Sequence, residues 1–130
     1  MKIVIDTSVI ISVVTNEKHK NLLINITKGA TLLAPDSLQH EIGNAFSAML
    51  KRNRISIENT KKALREYDKI PIQFYSIDLE KAINIAYDLK IYAYDAYFIE
   101  CAVSNRLPLL SIDDGLIRAA QQYGIKIIEV

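Results

Sequence analysis

Asp6, Glu41, Asp95 and Asp113 are spread along nearly the whole chain, and each falls where the local pattern predicts a strand end or the core side of a helix. A carboxylate facing a core is costly unless its charge is compensated, and a divalent cation compensates it while supplying chemistry. His19 and His40 are the only histidines and Cys101 the only cysteine, with no zinc-ligand spacing among them. An all-oxygen ligand set suits a hard ion, Mg²⁺ with Mn²⁺ as a substitute, and such ions serve phosphate chemistry. One or two ions beside a phosphodiester would activate water, neutralise the phosphate and stabilise the departing oxygen.

The elements that must position these acids are legible from periodicity. Lys2 to Ile5 predicts a strand ending at Asp6, with Asp6, Thr7 and Ser8 available to cap a helix through Val9 to Val14. A second helix carries Leu22, Leu23 and Ile26 up to Gly29, followed by a strand over Thr31 to Ala34. From Asp36 or Ser37 the pattern Leu38, Ile42, Ala45, Phe46, Met49 and Leu50 predicts the strongest helix, and Glu41 turns toward its apolar stripe. Ser56 caps a weaker helix with Ile57, Ala63, Leu64 and Tyr67, and Ile72 to Ile77 alternates like a strand. Asp78 opens a helix with Leu79, Ala82, Ile83, Ala86 and Leu89; another contains Asp95, Phe98, Ile99, Ala102 and Val103. Pro108 to Ile112 predicts a buried strand leading to Asp113, then a helix from Gly115 to Tyr123 and a last strand over Lys126 to Val130. This alternation implies one α/β domain over residues 1–130, with a mainly parallel central sheet flanked by helices on both sides. Asp6 and Asp113 then sit at the carboxyl ends of strands, where open parallel sheets place their sites.

Taken singly, each acid has a plainer explanation. Asp6 caps the first helix, and Asp113 or Asp114 caps the last. Glu41, well inside an apolar helix, resists that account, and the set as a whole favours a site. Lys51, Arg52 and Arg54, with Lys61, Lys62 and Arg65, are better explained as solvated helix faces than as RNA contacts. Cys101 reads as an inert buried thiol, His40 as a surface residue, and Tyr92, Tyr94 and Tyr97 around Asp95 as core packing at least as readily as base-stacking groups.

The chain of 130 residues is 50% hydrophobic and 24% charged, which fits a globular domain that buries a real core. Sixteen basic against fifteen acidic residues leave a net charge of +1, so any nucleic-acid partner must be met by a local surface. The single cysteine and the absence of a leader-like or membrane-spanning apolar run imply a reduced, cytoplasmic protein with no membrane role.

The strings IVIDTSVII, APDSLQHEIGNAF, YDAYFIECA and PLLSIDDGLIRAA occur in that order along nearly the whole chain. In them the chain resembles PIN-domain ribonucleases, in particular the VapC toxins of prokaryotic toxin–antitoxin pairs. The resemblance implies a Mg²⁺-dependent endoribonuclease in which Asp6, Glu41, Asp95 and Asp113 hold the metal and Thr7, Ser8, Asn44 and Ser111 support them. It implies products with a 3′-hydroxyl and a 5′-phosphate, an RNA substrate, a cognate antitoxin that covers the site, and a homodimer. The family's last acid usually follows a threonine by two residues; here Ser111 takes that place before Asp113 and Asp114. Asp113 has the matching spacing. Asp114 is an alternative or additional ligand, and its simpler role is to cap the last helix.

Competing readings fit less well. A haloacid-dehalogenase-type phosphatase wants an aspartate where Ser8 stands, and a receiver-like module wants an acidic pair after the first strand. An RNA-processing PIN nuclease outside a toxin pair remains an alternative, as does a non-enzymatic protein-binding PIN module, although the latter would normally have lost acids.

Overall fold

Three consecutive residues of the first strand, Ile3, Val4 and Ile5, are fully buried. A strand buried on both of its alternating faces must lie inside a sheet covered on both sides. The computed structural model describes residues 1–130. In chain order the elements are β1 (Lys2–Ile5), α1 (Thr7–Val14), α2 (Lys20–Thr27), β2 (Thr31–Pro35), α3 (Leu38–Lys51), α4 (Ile57–Asp68), β3 (Ile72–Tyr75), α5 (Leu79–Leu89), α6 (Ala93–Asn105), β4 (Leu109–Leu110) and α7 (Asp114–Gln122). The four strands form one parallel sheet in the order β3-β2-β1-β4. This is the expected α/β architecture. No helix is long and apolar enough to cross a membrane.

The order puts β1 and β2 in the middle, and the chain turns back beside β1 when it enters β4. Val4 pairs with Leu109 and Ile5 with Leu110, so the residues that follow both strands, Asp6 and Ser111, emerge side by side. Helix α6 packs on β1 and β2, while α1 packs on α2, α3 and α4. The core joins Ile3, Val4 and Ile5 to Leu38, Ile42 and Phe46 of α3 and to Phe98, Ile99 and Ala102 of α6.

Several expectations need correction. The final strand over Lys126 to Val130 does not form. Its place is taken by a single parallel bridge between Leu109 and Ile127, supported by the Leu109 amide donating to the Lys126 carbonyl at 2.9 Å. A two-residue β4 offers too little ladder for a neighbour to follow. The predicted strand over Pro108 to Ile112 is also short, because Ser111 and Ile112 leave the ladder to bond with Asp6 and Ser8. Strand β3 stops at Tyr75 instead of running to Ile77. In α4 and α5 the apolar stripes split: Ile57, Leu64, Leu79 and Ile83 are exposed, and the buried faces are Thr60, Ala63 and Tyr67 in α4 and Ala82 and Ile85 in α5.

Candidate active site

Asp6 ends β1 and caps α1, its Oδ1 accepting the Val9 amide at 3.2 Å. Two hydroxyls complete its surroundings: Ser8 donates to Oδ1 at 2.7 Å and Ser111 donates to Oδ2 at 2.9 Å. Each serine also accepts a backbone amide, Ser8 from Ile112 at 3.2 Å and Ser111 from Asp113 at 3.0 Å. The two hydroxyls therefore stitch the start of α1 to the loop between β4 and α7, and fix the Asp6 carboxyl between them. Burial pushes the Asp6 carboxyl up to about 6, against the lowering effect of Ser8, Ser111 and the Val9 amide, with a further rise from the charge of Asp113.

Glu41 comes from the first turn of α3, not from well inside the helix as its pattern suggested, and is half-buried. Burial raises it to about 7; Thr7 and Ser37 pull the other way, while the charges of Asp95 and Asp6 add to the rise. The Ser37 hydroxyl donates to Oε2 at 3.4 Å. Ser37 stands at the N-cap position of α3, but its backbone is already helical and it makes no side-chain cap, which leaves its hydroxyl for Glu41. The Thr7 hydroxyl lies beside Glu41 yet makes no hydrogen bond of proper geometry, and its oxygen is buried without a partner. Asp95 comes from the first turn of α6 and is also raised, by burial and then by Asp113.

Asp113 is exposed and caps α7, accepting the Gly115 amide at 2.9 Å and the Leu116 amide at 3.2 Å. The cap of α7 is thus Asp113 and not Asp114, which lies exposed in the first turn. Asn44 is exposed one turn beyond Glu41, and no hydrogen bond ties its amide to the acids.

Four elements thus bring their acids within electrostatic reach of one another: Asp113 acts on Asp6 and Asp95, and Asp6 and Asp95 act on Glu41. No lysine or arginine neutralises them; the one ion pair in the molecule, Lys69 with Glu66 at 3.1 Å, lies elsewhere. The acids have not drawn into a cage, for no three of them converge on one ligating point. Asp6 is turned toward hydroxyl donors and Asp113 toward the amides of α7. Fit to a hard cation rests on the donor set: carboxylate oxygens without sulfur or imidazole, an uncompensated negative charge, and an unpartnered Thr7 hydroxyl at its edge.

Other singled-out residues fall into place. Tyr92 and Tyr94 are exposed, which overturns core packing for both; Tyr94 meets half-buried Tyr97 edge to face, ring centroids 5.8 Å apart. Cys101 is fully buried and its thiol is pushed up to about 12, by burial before all else. Arg54 and Lys62 border a cleft of about 450 Å³ with Val14 and Met49. Neither it nor the adjoining cleft of about 560 Å³ beside α1 contains any of the four acids. Sequence reasoning missed Ser37, whose signal was its position four residues before Glu41, within side-chain reach across one helical turn.

A family model described as the PIN domain matches residues 3–122. No match is found among curated proteins. Among solved structures the chain is similar to PAE2754 from Pyrobaculum aerophilum, with a TM-score of 0.66, 19% identity, and coverage of 92% of this chain and 79% of that one. It is also similar to VapBC2 from Rickettsia felis bound to a DNA fragment from their promoter, with a TM-score of 0.67, 11% identity and 98% of each chain covered. A domain of a functionally unknown protein from Methanocaldococcus jannaschii DSM 2661 aligns with a TM-score of 0.60 and 21% identity, covering 99% of this chain and 91% of that one. At these identities the structural likenesses speak for the fold.

Proposed function

This chain belongs to the PIN-domain family, and from that membership we propose that it is a Mg²⁺-dependent endoribonuclease, with Mn²⁺ as a substitute, acting as the toxin of a VapBC-type pair. PIN domains are generally nucleases, which supplies the reaction class. The observation that supports the finer reading is that Asp6, Glu41, Asp95 and Asp113, from four separate elements and without a cationic partner, lie within electrostatic reach of one another.

In this reading those four carboxylates hold the cation, with Ser8 and Ser111 fixing the orientation of Asp6, Ser37 supporting Glu41, and the unpartnered Thr7 hydroxyl beside it. When bound, a divalent cation neutralises the scissile phosphate and lowers the pKa of an attacking water. Asp6 has both oxygens occupied by hydroxyl donors, so its task is to bind and orient. Glu41, held only by a long contact from Ser37, and Asp95, which accepts no hydrogen bond, are the carboxylates free to accept the proton that the water releases; Glu41, raised to about 7, is the one we assign as base. As the new bond to phosphorus forms, the bond to the 3′-oxygen breaks. That oxygen leaves as a hydroxyl after protonation from solvent, and the other product carries a 5′-phosphate.

Partners follow the same reading. A cognate antitoxin would cover the acids and insert a basic residue among them, and a second copy would complete a homodimer. Exposed apolar side chains support the existence of such contacts: Leu79, Ile83 and Tyr87 on α5, and Ile57 and Leu64 on α4.

The test uses purified protein free of any antitoxin. It should cut RNA with Mg²⁺ or Mn²⁺, stop with chelator, and lose activity in an Asp6→Asn, Asp95→Asn double variant. Equal cutting by that variant would refute the site. A small DNA-binding protein encoded in the adjacent reading frame that inhibits cleavage would support the toxin role, and its absence would favour RNA processing.

A further inference from the structure

We propose that the cleft between α7 and the segment Ile127–Glu129 is a nucleobase subsite adjoining the candidate active site, and that it prefers guanine. The proposal rests on the nuclease reading above, and it adds a base preference that the four acids cannot provide. The cleft encloses about 370 Å³, within the range of small-ligand sites. Ser111 contributes to its floor while donating to Asp6 at 2.9 Å, so a nucleotide seated there is next to the acids.

The walls have the chemistry of a base site. Asp114, Ile117 and Gln121 are spaced three and four residues apart on one face of α7, so they line the cleft as a column. Ile117 and Ile128, on opposite sides, present apolar surface to a flat ring. His19, at the N-cap position of α2, also lines the cleft. Because Asp113 takes over the capping of α7, the Asp114 carboxylate is left free for a ligand.

Guanine matches this set better than the other bases. Its adjacent N1–H and N2–H₂ donors can both reach one carboxylate, as on Asp114. Its O6 and N7 acceptors suit the Gln121 amide and a donating nitrogen of His19. Uracil offers a single N–H flanked by two carbonyl oxygens, which would face the Asp114 carboxylate repulsively. The carboxylates of Asp114 and Glu129, both lining the cleft, also disfavour a phosphate there, which leaves a neutral base as the fitting occupant.

The experiment measures binding by fluorescence anisotropy in chelator, where no cleavage occurs, using oligouridylates that carry one guanosine, inosine or abasic residue. The wild-type protein should bind the guanosine probe at least about tenfold more tightly than plain oligouridylate, with inosine, which lacks the N2 amino group, in between. Asp114→Asn should collapse the difference among guanosine, inosine and uridine while raising affinity for the abasic probe modestly through the lost charge, and Gln121→Ala should reduce the difference without changing affinity for the abasic probe. Absence of discrimination by the wild-type protein would overturn the proposal. So would a variant that weakens all probes by one factor, since that is the mark of a phosphate contact or a damaged fold. Adding Mn²⁺ separates the two readings: discrimination without cleavage refutes the nuclease and leaves the subsite standing, whereas cleavage without discrimination refutes the subsite alone. Both positions are exposed, and Gln121→Ala carries the test if Asp114→Asn does not fold.

Discussion

A buried carboxyl that keeps its proton up to about pH 6 leaves a signature in stability. The Asp6 carboxyl is raised from 3.8 to about 6 in the folded chain, so between those values the folded state keeps a proton that the unfolded state has released. Stability must therefore fall as pH rises through that window, by about 3 kcal/mol from Asp6 once it is crossed. Glu41, raised to about 7, extends the decline to higher pH, with a smaller effect because it is more open to solvent. Asp6→Asn should stabilise the cation-free protein by up to about 3 kcal/mol near pH 8 and change little near pH 4, as urea denaturation at the two pH values would read. Equal effects at both would mean that Asp6 is not desolvated. Ser111 makes a second prediction at this scale. Its hydroxyl both donates to Asp6 and accepts the Asp113 amide, so Ser111→Ala should lower RNA cleavage by about 10- to 100-fold. Ser111→Thr, which keeps the hydroxyl, should restore most of it.

Among the elements, α5 and α6 are held to the sheet edge by a residue that no pattern singled out. Glu100 is buried within α6 and accepts three donors: the Tyr75 hydroxyl at 3.0 Å, the Asp78 amide at 2.7 Å, and the Ser104 hydroxyl. It thereby joins the end of β3, the cap of α5 and the middle of α6. Glu100→Ala should cost at least about 2 kcal/mol, because it strands these donors together, and Glu100→Gln should cost less. Denaturation midpoints measure both. Cleavage below the melting range should survive either change, since the residue lies outside the acid site. Element identity was legible in the sequence here, because stripes and caps are local; Asp6, Ser56 and Asp78 cap the helices they precede. Which face of α5 is buried was not. Leu79 and Ile83 have the spacing of a core stripe but point to solvent, and Ala82 and Ile85 are buried instead, a choice made by the tertiary packing of α5 and not by its own pattern.

For the whole molecule, separated acids and a cation form one linked equilibrium. Burial raises Asp6 to about 6 and Glu41 to about 7, so below those values a cation must displace their protons to be held, whereas near pH 8 it meets ionised carboxylates. Saturating Mg²⁺ or Mn²⁺ should therefore raise Tm more near pH 8 than near pH 5, and Asp6→Asn, Asp95→Asn should abolish the difference. Calorimetry across the two pH values checks this, and an ion-induced shift independent of pH would place binding somewhere other than the acids.

The sequence by itself determined the α/β alternation, the buried character of β1 and the candidacy of the four acids, since each is written in local periodicity and residue type. The family resemblance brought Thr7, Ser8, Asn44 and Ser111 forward as supports of the site without saying which acid each would meet. Only the tertiary structure decided that β4 would be two residues long, that Ser111 would leave its ladder to bond Asp6, and that Asp113 would cap α7 in place of Asp114. Those outcomes depend on which strand lies beside β1 and on competition among hydrogen-bond partners distant in sequence. Local pattern constrains what a segment can become, but long-range packing chooses among the partners it meets.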